Sequence, residues 1–151
     1  MDPEQLGQIA GRVIARLAKH LEKALAPLEL SLPQYRVLGF LADGSTASSA
    51  LAEQMAVTPP TVTSLSDALV ARGLIERHAD PVDRRRLPLS LTPAGIELLK
   101  LANLAVGERL SEIASHHPTQ EGASVDGLAE WQAALDGPRD ARRRQEAMAV
   151  K

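Results

Sequence analysis

The sequence predicts a mainly α-helical chain with one small β-hairpin, a winged helix-turn-helix set between two longer terminal helical segments. Three observations carry that prediction. Two helical stretches in mid-chain are separated only by the turn Ala56-Val57. Immediately after them, two short strand-like stretches bracket an Asp- and Arg-rich tip over 79–86. At both ends, apolar residues recur at helical spacing over several turns.

Leu6, Ile9, Val13, Leu17, Leu21, Leu25 and Leu28 recur at steps of three or four, the mark of one long amphipathic helix, with Pro27 in or just past its last turn. Ser31, Pro33 and Gln34 then read as a capping box with an early proline. The helix they open carries Tyr35, Val37, Leu38, Phe40 and Leu41 and stops at Asp43-Gly44. A polar turn over 45–48 leads to a brief helix from Ser49 to Met55, with Leu51, Ala52 and Met55 facing inward. Thr58-Pro59 supplies the N-cap and first position of the next helix, which ends at Gly73 and turns Val62, Leu65, Leu69 and Val70 inward. Leu74 to His78 and Leu87 to Leu91 read as paired strands, with Leu87, Leu89 and Leu91 on one face. Pro88 lacks an amide donor, which demands an edge or irregular strand. Thr92-Pro93 opens a further helix with Ile96, Leu99, Val106, Leu110 and Ile113 inward, ended by His116-His117-Pro118. Val125, Leu128, Trp131 and Leu135 form a last apolar stripe, and an Arg- and Ala-rich tail follows Gly137-Pro138. The expected organisation is an N-terminal helix over 1–30, a winged unit over 31–92, C-terminal helices over 93–137 and a flexible tail over 138–151.

Composition removes several kinds of function. The chain has 151 residues, 44% of them apolar, which suits one folded domain with or without an extension. One Trp, one Tyr and one Phe leave no stacking platform for single-stranded nucleic acid. The absence of cysteine removes disulfides, thiolate metal sites and thiol redox sensing. The start MDPEQLGQ has neither the basic nor the apolar part of a signal peptide, and no apolar run nears the roughly 18 residues that span a bilayer. A soluble cytoplasmic protein with no membrane partner is expected. The net charge of −2 hides a local excess: between Arg72 and Arg86 stand five arginines against Glu76, Asp80 and Asp83.

On such a scaffold the second helix of the pair enters a DNA major groove by its N-terminal end. Its outward residues there are Pro60, Thr61, Thr63 and Ser64, whose hydroxyls reach phosphates or base edges, while unpaired first-turn amides favour a phosphate. Read in isolation, the stretch also fits an ordinary capped core helix. An arginine at a wing tip suits the negative potential of the minor groove, and Asp83 could pair with Arg85 and fix its direction. A solvated charged turn is the competing reading of those residues.

Residues 51–95, LAEQMAVTPPTVTSLSDALVARGLIERHADPVDRRRLPLSLTPAG, resemble the MarR family of transcriptional regulators. The resemblance rests on a Leu-Ala-Glu helix, a Val-Thr turn, Thr-Val-Thr in the second helix, Leu-x-x-x-Gly-Leu-Ile, Asp-x-x-Asp-Arg-Arg and Leu-Thr-x-x-Gly. It is specific as a set over 31–99; the flanking helices are similar only in length, position and periodicity. It implies a homodimer whose N- and C-terminal helices interlock and whose paired wings and recognition helices read a pseudo-palindromic double-stranded DNA. By the same resemblance Arg85 is the minor-groove arginine, Asp83 the residue that orients it, and Arg84 and Arg86 phosphate contacts. Thr61, Thr63 and Ser64 then face the groove, and Ser48, Thr58, Pro60, Asp67 and Arg72 complete the expected contacts. Three positions depart from the family pattern. Ser64 and Ala68 stand where Arg or Lys is usual, and Val82 where Arg is common. Asp67 is a carboxylate near phosphates, able to accept from a cytosine amino group or to pair with Arg72. Phosphate attraction then rests on the wing, with steep salt dependence.

The resemblance also implies a small aromatic or apolar effector held between the winged unit and the terminal helices, near Leu17, His20, Leu21, Tyr35 and Leu38; plain core packing is the other reading of those five. His116 and His117, adjacent on a helix, point about 100° apart and do not share a metal ion, so no metal or other cofactor is expected. No nucleophile, phosphate loop or carboxylate pair suggests an enzyme. The expectation is a dimeric regulator of transcription, a repressor released by a small molecule. The alternative is a winged-helix module for protein–protein contact that binds DNA weakly or not at all.

Overall fold

A computed structural model describes residues 2–44, 46–80, 82 and 87–116. Asp83, Arg84, Arg85 and Arg86, the apolar stripe over 125–135 and the tail over 138–151 lie outside the described residues. The chain divides into two compact units, Met1–Arg109 and Leu110–Lys151.

The first unit opens with α1 (Pro3–Leu25), capped by the Asp2 carboxylate, which accepts from the Gln5 amide at 2.9 Å. Pro27 sits in a 3-10 turn, Ala26–Leu28, and Glu29 follows in the left-handed region at φ 53°. The capping box of α2 (Leu32–Ala42) forms as expected: Ser31 Oγ accepts from the Gln34 amide at 3.2 Å, and Gln34 Oε1 accepts from the Ser31 amide at 3.0 Å. Helix α3 (Ser48–Met55) begins one residue earlier than its polar turn suggested. Arg36 of α2 donates from Nη2 to the Met55 carbonyl at 3.0 Å, closing the C-terminal end of α3. Ala56 then adopts the left-handed conformation at φ 55°, and the Val57 amide returns to Ala52 O at 3.1 Å. That reversal directs α4 (Pro59–Ala71) across α3.

Strands β1 (Ile75–Arg77) and β2 (Leu89–Leu91) pair antiparallel, Ile75 opposite Leu91 and Arg77 opposite Leu89. Both are shorter than the expected 74–78 and 87–91. Among the described residues the sheet has two strands, so β2 is an edge, as expected from Pro88. Pro88 stands just outside the strand and offers only its carbonyl, to the His78 amide at 2.9 Å. Leu89 meanwhile bonds on its other side to Thr46, N to O at 2.8 Å and O to N at 3.1 Å, so β2 is flanked on both sides there. Thr46 thus ties the turn before α3 to the base of the hairpin.

Helix α5 (Pro93–Ala114) starts hard against that hairpin. Thr92 Oγ1 donates to Gly73 O at 2.6 Å and accepts from the Gly95 amide at 3.1 Å, while the Thr92 amide reaches Leu74 O at 3.1 Å. A Cβ on Gly95 would stand 1.9 Å from Leu74 O, so the close approach requires glycine.

The core gathers Leu25, Val37, Leu38, Leu41, Leu51, Met55, Val62, Leu69, Ile75 and Leu89, with Leu99, Ala102 and Val106 of α5. Ile96, expected inward, is exposed, and Ala102 is buried instead. On α4 the buried line runs Val62, Ser66, Leu69, at steps of four and three; Leu65 and Val70 are only half-buried. Leu6, Ile9, Val13 and Ile14 on α1 and Leu101 and Leu104 on α5 are exposed. In the second unit the described residues are 110–116, the last turn of α5 and its closure, where Ser115 Oγ donates to Glu112 O at 2.7 Å.

Candidate nucleic-acid interface

Helix α4 is held from behind by Val62, Ser66 and Leu69, and this fixes what it presents in front. Thr58, Pro60, Thr61, Thr63, Ser64 and Asp67 are all exposed, and Ser48 is half-buried at the start of α3. Pro59, Pro60, Thr63, Ser64 and Asp67 line one open hollow of about 610 Å³.

The first turn of α4 differs from the expectation of unpaired amides. Pro59 and Pro60 carry no N–H, and the amides of Thr61 and Val62 both go to Thr58 O, at 3.0 and 3.2 Å. The donors that would greet a phosphate at a helix start are therefore missing or used. Nor does the Thr58 hydroxyl cap an amide: it shares a hydrogen bond with the Thr61 hydroxyl at 2.8 Å. Thr63 Oγ1 donates to Pro59 O at 3.1 Å, which leaves its lone pairs able to accept. The polar chemistry of this face is hydroxyl and carboxylate.

Asp67 is the single charged residue of α4, and it pairs with Arg77 of β1 rather than with Arg72. Arg77 Nη2 meets Asp67 Oδ1 at 2.5 Å. Arg72 is occupied elsewhere, at the opposite end of the helix from Thr58: Nη1 donates to Glu29 O at 2.6 Å and Nη2 to Leu28 O at 3.3 Å. Its guanidinium fastens the end of α4 to the turn between α1 and α2.

On the hairpin, His78 Nε2 meets Ser90 Oγ and lies 3.4 Å from Glu76 Oε1. The Val82 amide donates to Asp80 Oδ1 at 2.8 Å, and Val82 itself is 95% exposed. A short aspartate-led turn therefore begins the tip.

Of the expected effector wall, Leu38 is buried and Leu17, His20, Leu21 and Tyr35 are half-buried. Two residues of α5 that the sequence did not single out join them. Tyr35 donates its hydroxyl to Asn103 Oδ1 at 2.7 Å, and burial raises its pKa above the ordinary phenol value. Arg109 donates to His20 Nδ1, from Nε at 3.2 Å and Nη2 at 2.6 Å. No group of three His, Cys, Asp or Glu side chains suited to a metal occurs among the described residues. No helix among them is long and apolar enough to cross a membrane.

Helix-turn-helix, flanked hairpin and long α5 together define a winged helix-turn-helix protein. Residues 28–86 match the model of the MarR family. Over 106 residues the chain is 36% identical to an HTH-type transcriptional repressor of Mycobacterium tuberculosis, a match spanning 70% of this chain and 76% of that protein. It is 34% identical over 100 residues to an HTH-type transcriptional regulator of Bacillus subtilis, spanning 66% of this chain and 65% of that one. Among solved structures it is similar to the transcriptional repressor CouR bound to a 23-mer DNA duplex, at 27% identity and a TM-score of 0.74 over 86% of this chain and 91% of that chain. CouR of Rhodococcus jostii has also been solved with p-coumaroyl-CoA, and that structure gives 25% identity and a TM-score of 0.71 over 87% of this chain and 89% of that chain. The chain belongs to the MarR family of HTH-type transcriptional regulators, and its relatives are regulators, not enzymes.

Proposed function

We propose that this chain is a cytoplasmic, homodimeric repressor that binds a pseudo-palindromic double-stranded DNA and leaves it when a small aromatic or apolar molecule binds. The observation that carries the reading is the division of α4: an apolar back locked into the core, and a front of Thr58, Pro60, Thr61, Thr63, Ser64 and Asp67 bare of internal packing. That front enters the major groove, with Ser48 beside it. Arg85 enters the minor groove, oriented by Asp83, and Arg84 and Arg86 take phosphates.

Dimerisation is supported by Leu6, Ile9 and Val13 of α1, an apolar line that is exposed among the described residues. Segments 1–30 and 93–137 supply the contact between protomers, and 31–92 the DNA-reading unit. The effector lodges where α1, α2 and α5 meet, among Leu17, His20, Leu21, Tyr35 and Leu38. Occupation there would disturb the Tyr35–Asn103 and His20–Arg109 bonds that hold α5 to α2 and α1.

Fluorescence anisotropy with the DNA upstream of the chain's own reading frame, at two salt concentrations, tests the reading. Binding should weaken steeply with salt, at roughly one log–log unit per contacted phosphate. Arg85→Ala should cost about 1–3 kcal/mol of specific binding while the protein stays folded. No binding even at low salt would overturn the DNA reading and favour a module for protein contact, which the cation-free front of α4 would also suit.

A further inference from the structure

We propose that Arg77, on the hairpin, is a positioning residue that masks the only charge on α4 and so makes that helix compatible with DNA; the proposal rests on the DNA reading above. Helix α4 contains no Lys or Arg, and its one ionised side chain, Asp67, lies on the same face as Pro59, Thr63 and Ser64. A duplex presents one negative charge for roughly every 1.7 Å of its axis. An unpaired carboxylate on that face repels phosphates and must also lose its water as the groove closes over it.

The geometry places a cation there from another element. Strand residues two apart share a face, so Arg77 points to the side of the buried Ile75, which is the side packed on α4. Its register is fixed, because Arg77 pairs with Leu89 and Leu89 is held on its other side by Thr46. The guanidinium therefore arrives at Asp67 from a strand that cannot easily slide. It engages Oδ1, and the carboxylate carries its partner into the interface.

Magnitudes separate this role from a plain stabilising bridge. The two side chains are 34% and 59% exposed, and a pair that wet contributes little to folding. The same pair matters far more once DNA displaces the water around it, because the effective dielectric falls. The effect of Arg77 should thus fall on binding and hardly on stability.

The test uses the full-length protein, the upstream DNA fragment and four variants, R77Q, R77K, D67N and D67N/R77Q, each measured by anisotropy and by thermal melting. R77Q should bind about tenfold more weakly, as expected for an uncompensated charge at an interface. R77K should stay within about threefold of the wild type, since an ammonium also neutralises the carboxylate. The R77Q loss should vanish in the D67N background, with D67N/R77Q binding within about threefold of D67N itself, because the charge needing a mask is gone. All melting temperatures should agree within about 2 °C. Undiminished binding by R77Q overturns the proposal. So does a double variant about tenfold weaker than D67N, which would make Arg77 a phosphate contact in its own right, and so does a large fall in melting temperature, which would make the bridge structural. If the wild type binds no DNA, the functional reading fails and the mask falls with it; wild-type binding with any of the other contrary results removes only the mask.

Discussion

Helices α1 and α4 carry apolar stripes of similar spacing and use them in opposite ways. In α4 the stripe is satisfied inside the chain, with Val62 and Leu69 both 0% exposed. In α1 only Leu25 is buried, while Leu6 and Ile9 are each 55% exposed. The difference teaches that periodicity specifies a face but not the partner that covers it. For α4 the partner is α2, α3 and β1; for the first half of α1 a second copy is the proposed cover.

Substitutions can break that contrast or sharpen it. The largest effect is expected at Leu69→Ala, which opens a cavity behind α4 and should cost about 2–5 kcal/mol in chemical denaturation. If the cost were under about 1 kcal/mol, α4 would be as loosely backed as α1. Next, Ile9→Asp with Val13→Asp should convert the protein to a monomer in sedimentation, with helical content retained by circular dichroism. Persistence of a dimer would show that α1 does not need a partner there. Arg72→Ala should cost about 1–3 kcal/mol, since it removes a charge-assisted donor from the carbonyls of Leu28 and Glu29 at once. That loss would appear as a lower denaturation midpoint. Ser66→Ala should be the mildest. Its buried hydroxyl has no hydrogen-bond partner among the described residues, and the substitution should be neutral or stabilise by up to about 1 kcal/mol.

A pH titration probes the α2–α5 contact in the same spirit. Tyr35 is the only tyrosine of the chain, so phenolate absorbance reports it alone. Burial raises its folded pKa, so its contribution to stability is complete below the ordinary phenol value of 10 and disappears as pH climbs through the folded value. The titration midpoint should lie above that of free tyrosine and drop back towards it in urea.

The order of elements and their ends were legible because each is announced by a local device: Ser31 and Gln34, Thr58-Pro59, Gly73, Thr92-Pro93. What the sequence hid was the pairing of side chains across elements. Arg77 entered the sequence reading only as a unit of charge, although its place two residues after Ile75 put it on the face turned to α4. Asn103 and Arg109 carried no local signal, since α5 reaches Tyr35 and His20 only through the tertiary fold. Pro60 had a legible consequence that first-turn helix logic passed over: a second proline deletes the other amide a phosphate would seek. Ser66 inward and Ile96 outward invert their ordinary preferences, which shows burial being decided by helix rotation before residue type.

The contact of Gly95 with Leu74 has a mechanical consequence. With the carbonyl of Leu74 filling the space a side chain would need, and Thr92 bonded to both Gly73 and the first turn of α5, the hairpin and that turn move as one lever arm. Reorientation of the DNA-reading unit cannot pivot at Pro93. Any bending of α5 then falls beyond its first turn, the part tied to Gly73 and Leu74.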